Sequence, residues 1–378
     1  MTSPTLPATM RAAVMYDVDD IRIEERPLPQ LQPGDALVRT AASGVCSGDL
    51  MPWYVRKKAP FVFGHEPAGT IVALGPPLAV RAAIDDEPAL DEPDARRPLA
   101  VGDRVFAHHH APCLRCDACA RGAYVHCATW RATALEPGGM AEYFRVPHLN
   151  LVDTLVLPSR VGFADASLVE PLGCVVKSLR RALAIAMTTP VVPKAPGAAD
   201  LRGITLYVIG AGVMGLMHVA VAAALGATVY ASDFHEGRRD LARQLGATDA
   251  FAPEVALAGL ARSTDGRLAH ATICGPGAPA ALAAAVEATG ADGTVLMFTP
   301  IEPHERFVFD QSMAYFRDVR LVASYSAGPI DTRDALALIE AGVVGAAALR
   351  ATSFAFPSVL DAYDAMRTAE VVKAIVTF

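Results

Sequence analysis

The sequence predicts an α/β protein of two domains, the first rich in β-strands and the second built as a doubly wound parallel sheet. Its length of 378 residues exceeds what one hydrophobic core usually organises. Residues 10–39 alternate polar and apolar side chains in short runs separated by turn signals, as strands do. From residue 204 onward, strand-like and helix-like segments alternate, which is the pattern of a parallel sheet covered by helices.

Composition narrows the classes of function. Hydrophobic residues make up 52% and charged residues 19% of the chain, yet no apolar run approaches the roughly 20 residues that span a bilayer. The formal net charge of −7 argues against nucleic acid as a partner, because binding phosphates requires a clustered basic surface. The first ten residues carry no basic segment followed by an apolar stretch, so we expect no secretory signal, no membrane partner and a cytoplasmic location.

Two segments are typical of connections rather than of regular elements. Between Gly75 and Gly102 the sequence is acidic and carries prolines, which predicts a solvated surface loop. Residues 189–203 are rich in proline and predict a connection at the entrance to the second domain. Beyond it we predict strands at 204–209, 228–232, 271–274 and 293–298, and helices at 213–225 and 238–245.

A glycine motif follows the first strand of the second domain. Gly210, Gly212 and Gly215 form G-x-G-x-x-G directly before the predicted helix. These glycines suit a tight turn, a close approach of the backbone to a pyrophosphate, and close packing of the helix on the strand. Val213 and Met214 stand at the start of that helix, where N–H groups face bound phosphates. The motif therefore predicts a dinucleotide site; an ordinary glycine-bearing turn is the alternative.

The choice of dinucleotide depends on the end of the second strand. Asp233 stands there, 18 residues after Gly215, where a carboxylate can accept hydrogen bonds from ribose hydroxyls. Its charge would repel a 2′-phosphate, so the sequence favours NAD over NADP. Arg238 and Arg239 follow closely and weaken that preference, because an arginine in this region can contact a phosphate.

Four cysteines lie close together in a lobe at residues 112–128. Cys113, Cys116, Cys119 and Cys127 have the spacing C-x2-C-x2-C-x7-C, which predicts a closed tetrahedral zinc site with a structural role. An iron–sulfur cluster and unligated thiols are the alternatives. Nearby histidines are interpreted as surface or supporting residues rather than ligands; they are His108, His109, His110 and His126.

A second set of metal-ligand residues is dispersed along the chain. Cys46, His65, Glu66 and Glu170 are each open to a simpler interpretation, as a buried thiol, a core histidine or a carboxylate at a helix start. Their order beside a dinucleotide-binding pattern is what favours a site.

At this point the sequence resembles the zinc-containing medium-chain dehydrogenase/reductase (alcohol dehydrogenase) family, nearest its sorbitol and threonine dehydrogenase branch. The resemblance rests on the four-cysteine lobe and on Gly64-His65-Glu66, Val101-Gly102-Asp103-Arg104-Val105, Gly138-Gly139-Met140-Ala141-Glu142-Tyr143 and Glu170-Pro171-Leu172. It implies a GroES-like β-rich catalytic domain at 1–168, a doubly wound Rossmann domain at 169–324, and a return to the catalytic domain at 325–378. It also implies that the nicotinamide lies in a cleft between the domains.

The resemblance also implies roles for individual residues. Cys46 and His65 become ligands of a catalytic zinc, and the third protein ligand is Glu66 or Glu170. Asp49 would orient His65, and Lys373 would approach the pyrophosphate of the cofactor. The implied reaction passes a hydride between a small-molecule alcohol or polyol and NAD, with two zinc ions per chain, one catalytic and one structural.

The sequence differs from this family at the positions that relay the proton of the substrate hydroxyl to solvent. Many relatives carry a hydroxyl residue and a histidine at the positions of Gly48 and Met51, and neither of these side chains can carry a proton. Ser47 supplies a hydroxyl one position early, so we expect the proton to leave through a water held by Glu66 or Glu170.

Two other functions stay open at this stage, and the resemblance adds an expectation about assembly. One alternative is a biosynthetic relative that performs a non-redox step or reduces an activated double bond. The other is a protein that binds NAD without catalysis. Relatives in the family assemble, so we expect a homodimer or homotetramer.

Overall fold

The computed structural model describes residues 6–78 and 98–378. Most of the predicted acidic loop between Gly75 and Gly102 lies outside these residues. The chain divides into two compact units, the first formed by Met1–Glu170 with Ala351–Phe378 and the second by Pro171–Arg350. Both predicted domains are therefore present as separate units.

The described residues form strands and helices along the whole chain. The strands are β1 (Thr9–Asp17), β2 (Asp20–Pro27), β3 (Ala36–Gly44), β4 (Phe61–Val62), β5 (Pro67–Leu74), β6 (Arg104–Ala107), β7 (Tyr143–Val146), β8 (Thr154–Val156), β9 (Thr205–Ile209), β10 (Thr228–Ser232), β11 (Asp249–Phe251), β12 (Ala269–Cys274), β13 (Thr289–Met297), β14 (Arg320–Ala323), β15 (Thr352–Ala355) and β16 (Ala374–Thr377). The helices are α1 (Pro52–Val55), α2 (Asp117–Ala120), α3 (Ala128–Ala132), α4 (Phe163–Ala166), α5 (Val169–Ala182), α6 (Val213–Ala224), α7 (Glu236–Gln244), α8 (Pro253–Ser263), α9 (Pro279–Ala288), α10 (Gln311–Tyr315), α11 (Pro329–Glu340) and α12 (Val359–Arg367).

The first unit is built from β-sheets, as predicted. Among the described residues, one sheet has the order β2-β1-β4 and another has the order β15-β16-β3-β5-β6-β8, with β7 also paired to β3. Strand β16 is antiparallel to β3, with Ile375 opposite Gly44. This pairing brings the last residues of the chain beside residues 44–46.

The core of the first unit packs under this junction. Phe63, Met140 and Val45 are buried in the same apolar cluster as Tyr363 of α12 and Val376 of β16. The C-terminal segment is thus part of the core of this unit. Its position is fixed by apolar burial as well as by strand pairing.

The second unit confirms the doubly wound prediction. Its sheet has the order β11-β10-β9-β12-β13-β14 among the described residues, and all neighbouring strands are parallel. The predicted strand at 228–232 coincides with β10, and the predicted helix at 213–225 is α6. The strand order reverses beside β9, which in this fold marks the place where ligands bind.

The return to the first unit differs from the predicted position. The structure places it at Ala351 rather than at residue 325. The reason is a set of contacts within the second unit: Arg180 of α5 forms ion pairs with Asp331 at 2.6 Å and Asp334 at 2.7 Å, both on α11. Because Arg180 and Asp331 are buried, these pairs hold α11 against α5, so residues 325–350 belong to the second unit.

No helix within residues 6–78 and 98–378 is both long and apolar enough to cross a membrane.

Candidate metal and cofactor sites

Cys46 lies directly after β3, where the backbone packs tightly. A short 3-10 turn starts at Ser47, and the Gly48 N–H donates to Cys46 Sγ over 3.3 Å. A Cβ added at Gly44 would stand 1.9 Å from Glu66 Oε2. Only glycine therefore fits at this point of β3, and the fit brings Glu66 close to the strand that leads to Cys46.

His65 and Glu66 lie in the connection that enters β5. Gly64 before them has φ +86, a left-handed conformation that favours glycine. Three side chains meet here, each offering one atom that could bind a metal, and these atoms lie within 4.8 Å of one another: Cys46, His65 and Glu66. We call these three residues the Cys46 group; thiolate, imidazole and carboxylate are the usual donors to zinc.

Asp49 lies beside His65, and its role in orienting that ring stays a prediction. It is buried, and its Oδ2 lies 3.6 Å from His65 Nδ1. Burial raises the pKa of Asp49, and the charge of His65 opposes that rise. For His65 itself, burial works against the charged form, but Cys46 and Asp49 outweigh it, so its pKa lies well above the usual value. This pattern indicates a pocket whose negative charge stabilises a cation.

Lys373 differs from its expected role. The resemblance implies contact with the cofactor pyrophosphate, but its Nζ is buried and donates to Glu66 Oε2 at 2.5 Å and to the Val45 carbonyl at 2.9 Å. The physical reason is that the pairing of β16 with β3 carries Lys373 beside Glu66. The other oxygen, Glu66 Oε1, is buried without a hydrogen-bond partner among the described residues.

Glu170 clusters with two histidines that the sequence analysis did not interpret as ligands. One ligand atom each of His108, His109 and Glu170 lies within 4.8 Å of the others. We call these residues the His108 group. Glu170 is therefore not among the residues that cluster with Cys46 and His65, whereas Glu66 is. His108 was interpreted as a surface or supporting residue, and its full burial excludes the first of these two.

The two groups adjoin each other in the first unit. The rings of His65 and His109 have centroids 5.0 Å apart. Burial lowers the pKa of His109 well below its usual value, and neighbouring His110 and His65 lower it further. A sequence signal for this arrangement was available: three histidines in a row directly follow the buried strand β6.

The four cysteines of the lobe come together as predicted. Their four Sγ atoms lie within 4.8 Å of one another, those of Cys113, Cys116, Cys119 and Cys127. The Cys113 N–H donates to Cys127 Sγ over 3.3 Å. Burial opposes ionisation of Cys127, but backbone N–H groups outweigh burial and lower its pKa to about 6. The Cys127 thiol is thus suited to bind a cation as a thiolate.

The glycine motif forms the turn between β9 and α6. Gly210 has φ +88, which favours glycine, and a Cβ added at Gly215 would stand 1.9 Å from the Gly210 carbonyl oxygen. Beside Gly212 a Cβ would meet no atom within 4 Å, so there is room for a ligand to approach the backbone. Val213 and Met214 form the first turn of α6. The predicted roles of turn, approach and packing fit this geometry.

Asp233 lies at the end of β10, next to this turn. Its Oδ2 accepts a hydrogen bond from the Ala211 N–H at 2.8 Å, and its Oδ1 accepts one from the His235 N–H at 2.8 Å. Arg239 donates to the main-chain carbonyls of Asp233 and Phe234. Arg238 follows at the start of α7. The carboxylate therefore braces the glycine turn, and its contact with a ribose stays a prediction.

Comparison with known proteins identifies the family domains. The family described as alcohol dehydrogenase GroES-like domain matches residues 32–158, and the family described as zinc-binding dehydrogenase matches residues 213–341. These matches cover most of both units.

Two curated relatives have names that describe polyol chemistry. A protein named sorbitol dehydrogenase from Bacillus subtilis (strain 168) is 30% identical over 65% of this chain and 61% of its own length. A protein named probable D-xylulose reductase A from Aspergillus terreus is 30% identical over 75% of this chain and 70% of its own length. The first match thus spans less than two thirds of that relative.

Solved structures share the fold over nearly the whole chain. A zinc-binding dehydrogenase from Sinorhizobium meliloti 1021 bound to NADP has a TM-score of 0.79 and 22% identity, covering 98% of this chain and 100% of its own. A short-chain alcohol dehydrogenase from E. coli CFT073 complexed with NADH has a TM-score of 0.78 and 22% identity, covering 98% and 100%.

Loss of one lobe cysteine is expected to destabilise the lobe. We expect Cys116→Ser to lose tightly bound zinc from the lobe and to give unstable or aggregated protein, because metal binding there is coupled to folding. Cys174→Ala, outside both cysteine-containing groups, is the matched control and should keep the wild-type melting temperature. Differential scanning fluorimetry with metal analysis measures both; a Cys116→Ser protein that melts like wild type would contradict the expectation.

Proposed function

The chain belongs to the zinc-containing medium-chain dehydrogenase/reductase family, and we propose that within it the protein oxidises an alcohol or polyol, at a secondary hydroxyl, with NAD. The observation that carries this proposal is the Cys46 group, in which thiolate, imidazole and carboxylate donors lie within 4.8 Å of one another. The names of the curated relatives support a polyol as the substrate class. They also favour a redox reaction over the alternative of a non-redox step.

Zinc fits the Cys46 group and the lobe, and NAD fits the glycine turn. Glu66 Oε1 is buried without a hydrogen-bond partner in the described part of the chain, which supports a cation beside it, because an unsatisfied buried carboxylate oxygen is costly. When bound, zinc would act as a Lewis acid that lowers the pKa of the substrate hydroxyl, while NAD would take up the hydride from the carbinol carbon.

The surrounding residues would prepare the site for that chemistry. Asp49 Oδ2 lies 3.6 Å from His65 Nδ1, from where it would orient the ring as carboxylates behind metal-bound histidines do. Lys373 holds Glu66 Oε2, which leaves Oε1 as the donor atom. The Lys373 contact thus holds Glu66 in place before a metal arrives, so little reorganisation of this ligand is needed.

The hydroxyl proton of the substrate needs an acceptor. Gly48 and Met51 have no group that can accept it. Ser47 begins the 3-10 turn after Cys46, and its part in proton transfer stays a prediction. We propose that a water held by Glu66 or by Glu170 accepts the proton.

We also propose that the protein assembles as a homodimer or a homotetramer in the cytoplasm. Strand β14 lies at the edge of the second unit's sheet, and such an edge is open to pairing with another copy. Large apolar side chains are exposed in the segment before it, with Val308 86% and Phe316 81% exposed. The cysteines form no disulfide among the described residues, which fits a reducing compartment.

A cofactor-linked assay tests the reaction. We expect NADH to form, at 340 nm, when the protein is mixed with NAD and a panel of secondary alcohols and polyols. Cys46→Ser should lower kcat/KM by about 10³ or more, because Lewis-acid polarisation is worth several kcal/mol. Cys174→Ala serves as the control with wild-type activity. No NADH from any substrate, in protein that retains its zinc, would overturn the proposed reaction.

Asp233 should decide the choice of dinucleotide. We expect Asp233→Ser to shift the ratio of kcat/KM for NAD over NADP toward NADP by about 1–3 kcal/mol, through loss of ribose hydrogen bonds and of repulsion. Asp233→Asn keeps an oxygen acceptor without the charge, so it separates the two causes. A wild-type protein that already prefers NADP would contradict our assignment of Asp233.

The exposed apolar segment should matter for assembly. Phe316→Glu places a charge on this surface, and we expect it to weaken self-association at least tenfold, because apolar anchors dominate interfaces. Leu257→Glu alters another exposed apolar side chain, on α8, and should leave assembly unchanged. Sedimentation velocity measures both variants. A wild-type protein that sediments as a monomer at micromolar concentration would contradict the proposed assembly.

A further inference from the structure

Four aromatic rings connect the Cys46 group to the cysteine lobe. Ring centroids lie 5.0 Å apart for His65 and His109, 4.3 Å for His109 and His110, and 4.2 Å for His110 and Trp130. Such spacings bring the faces and edges of neighbouring rings into contact. We call these four residues the ring row. The row begins at a candidate ligand of the catalytic zinc and ends three residues after Cys127, a candidate ligand of the lobe zinc.

The lobe end of the ring row depends on the sulfur of Cys127. Trp130 is buried on α3, a helix that begins directly after Cys127. The backbone N–H groups of Thr129 and Trp130 donate hydrogen bonds to the Cys127 sulfur. Metal binding by such cysteines is coupled to local folding. A metal in the lobe would therefore fix α3 and, with it, the indole ring.

His110 is attached to the same helix by more than a ring contact. Its Nδ1 donates to the carbonyl of Thr133, which directly follows α3. The next N–H, that of Ala111, donates to Thr133 Oγ1 at 2.9 Å. Burial lowers the pKa of His110 to about 4, so the neutral ring packs on Trp130 without a charge to desolvate. The middle of the ring row is thus joined to the lobe.

The other side of the ring row is held by the body of the first unit. Asn150 Nδ2 donates to the carbonyls of His108 and His109, each at 3.1 Å. The ring of His108 lies 5.0 Å from that of His109, centroid to centroid, and its Nδ1 lies 2.6 Å from Asp153 Oδ2. These contacts fix the backbone and one side of His109, so its ring has little freedom to move away from His65.

At the catalytic end, the ring row contacts a ligand that needs such support. Asp49 Oδ2 lies 3.6 Å from His65 Nδ1, which is longer than a hydrogen bond. The orientation of the His65 ring therefore also depends on the side chains that pack against it, and His109 is one of them. Loss of the residues that support metal-bound histidines typically costs about 10–100-fold in metal affinity.

We propose that His109, His110 and Trp130 are positioning residues that transmit the order of the cysteine lobe to His65, so that a loaded lobe strengthens metal binding in the Cys46 group. The lobe supplies the two-state element that such coupling needs, because its fold depends on bound metal. The proposal rests on the proposed metal role of the Cys46 group and on no particular substrate. It gives the lobe an influence on the catalytic metal through packed rings, without a shared ligand.

The cobalt affinity of the Cys46 group tests this role. In the intact protein, the catalytic zinc is removed by dialysis against a chelator while the lobe keeps its zinc, and Co²⁺ is titrated in competition with the chelator. We expect His110→Ala to weaken Co²⁺ binding by about tenfold or more and to change the visible bands of the bound cobalt, with the lobe zinc retained. His110→Phe keeps a ring in the row and should restore most of the affinity.

A matched control separates positioning from stability. His126 lies in the lobe, is exposed and accepts a hydrogen bond from Arg131, outside the ring row, so His126→Ala should bind Co²⁺ as the wild type does. If His110→Ala only lowers the melting temperature and leaves the affinity and the visible bands unchanged, its role is merely structural and the proposal is overturned. An equal loss of affinity in His126→Ala would overturn it too. A wild type that binds no Co²⁺ in the Cys46 group would overturn the proposed function as well.

A second measurement leaves the ring row intact. The chain has two tryptophans, so Trp53→Phe makes Trp130 the sole source of indole fluorescence. Because coupling between sites is reciprocal, we expect Zn²⁺ that refills the Cys46 group to change the emission of Trp130 while the lobe stays loaded. Adding His109→Ala should abolish that change. An emission that does not respond to Zn²⁺ binding, counted by metal analysis, would overturn the proposal even where His110→Ala fails to fold.

Discussion

The ion pair between Lys373 and Glu66 links the end of the chain to the candidate catalytic site. Lys373 stands just before β16, whose pairing with β3 places the buried ammonium against the carboxylate. Removing one partner of such a buried pair costs about 3–5 kcal/mol, because the other charge stays buried and alone. The pair also fixes one oxygen of Glu66, so the position of the metal-binding carboxylate depends on a segment more than 300 residues away. The position of Glu66 also depends on Gly44, because any side chain at residue 44 would displace the carboxylate.

Around this pair the first unit concentrates negative charge that the protein alone does not balance. The pKa of His65 is raised well above its usual value by Cys46 and Asp49 despite burial, which is the response of a ring in a site suited to a cation. Asp153 and Glu170 are buried in the same unit. Metal binding in this unit would therefore stabilise the fold as well as supply chemistry. In the second unit the candidate dinucleotide site consists mainly of backbone, a glycine turn braced by the Asp233 carboxylate.

The spacing of residues along the chain predicted several of these features correctly. The glycine motif, the strands and helices around it, and the four-cysteine lobe are each encoded within a few dozen residues, and the structure confirms their geometry. The dispersed candidate ligands Cys46 and His65 were also identified from sequence, through short motifs whose context is a family resemblance. The sequence analysis was less successful where one residue type admits two environments. His108 follows a buried strand and was interpreted as a surface or supporting residue; the burial of that strand continues into its ring, which Asp153 holds.

The sequence by itself determined the fold class, the dinucleotide motif and the inventory of metal-ligand residues, because these depend on residue type and on spacing along the chain. Only the tertiary structure decided which of these residues come together. Glu66 clusters with Cys46 and His65 while Glu170 clusters with His108 and His109; Lys373 pairs with Glu66; and residues 325–350 stay in the second unit through Arg180 and its partners on α11. In each case the deciding contact joins residues far apart in sequence, and a buried charge takes the partner that strand pairing and helix packing bring within hydrogen-bond reach. That choice follows from which elements lie side by side, and no local pattern in the sequence records it.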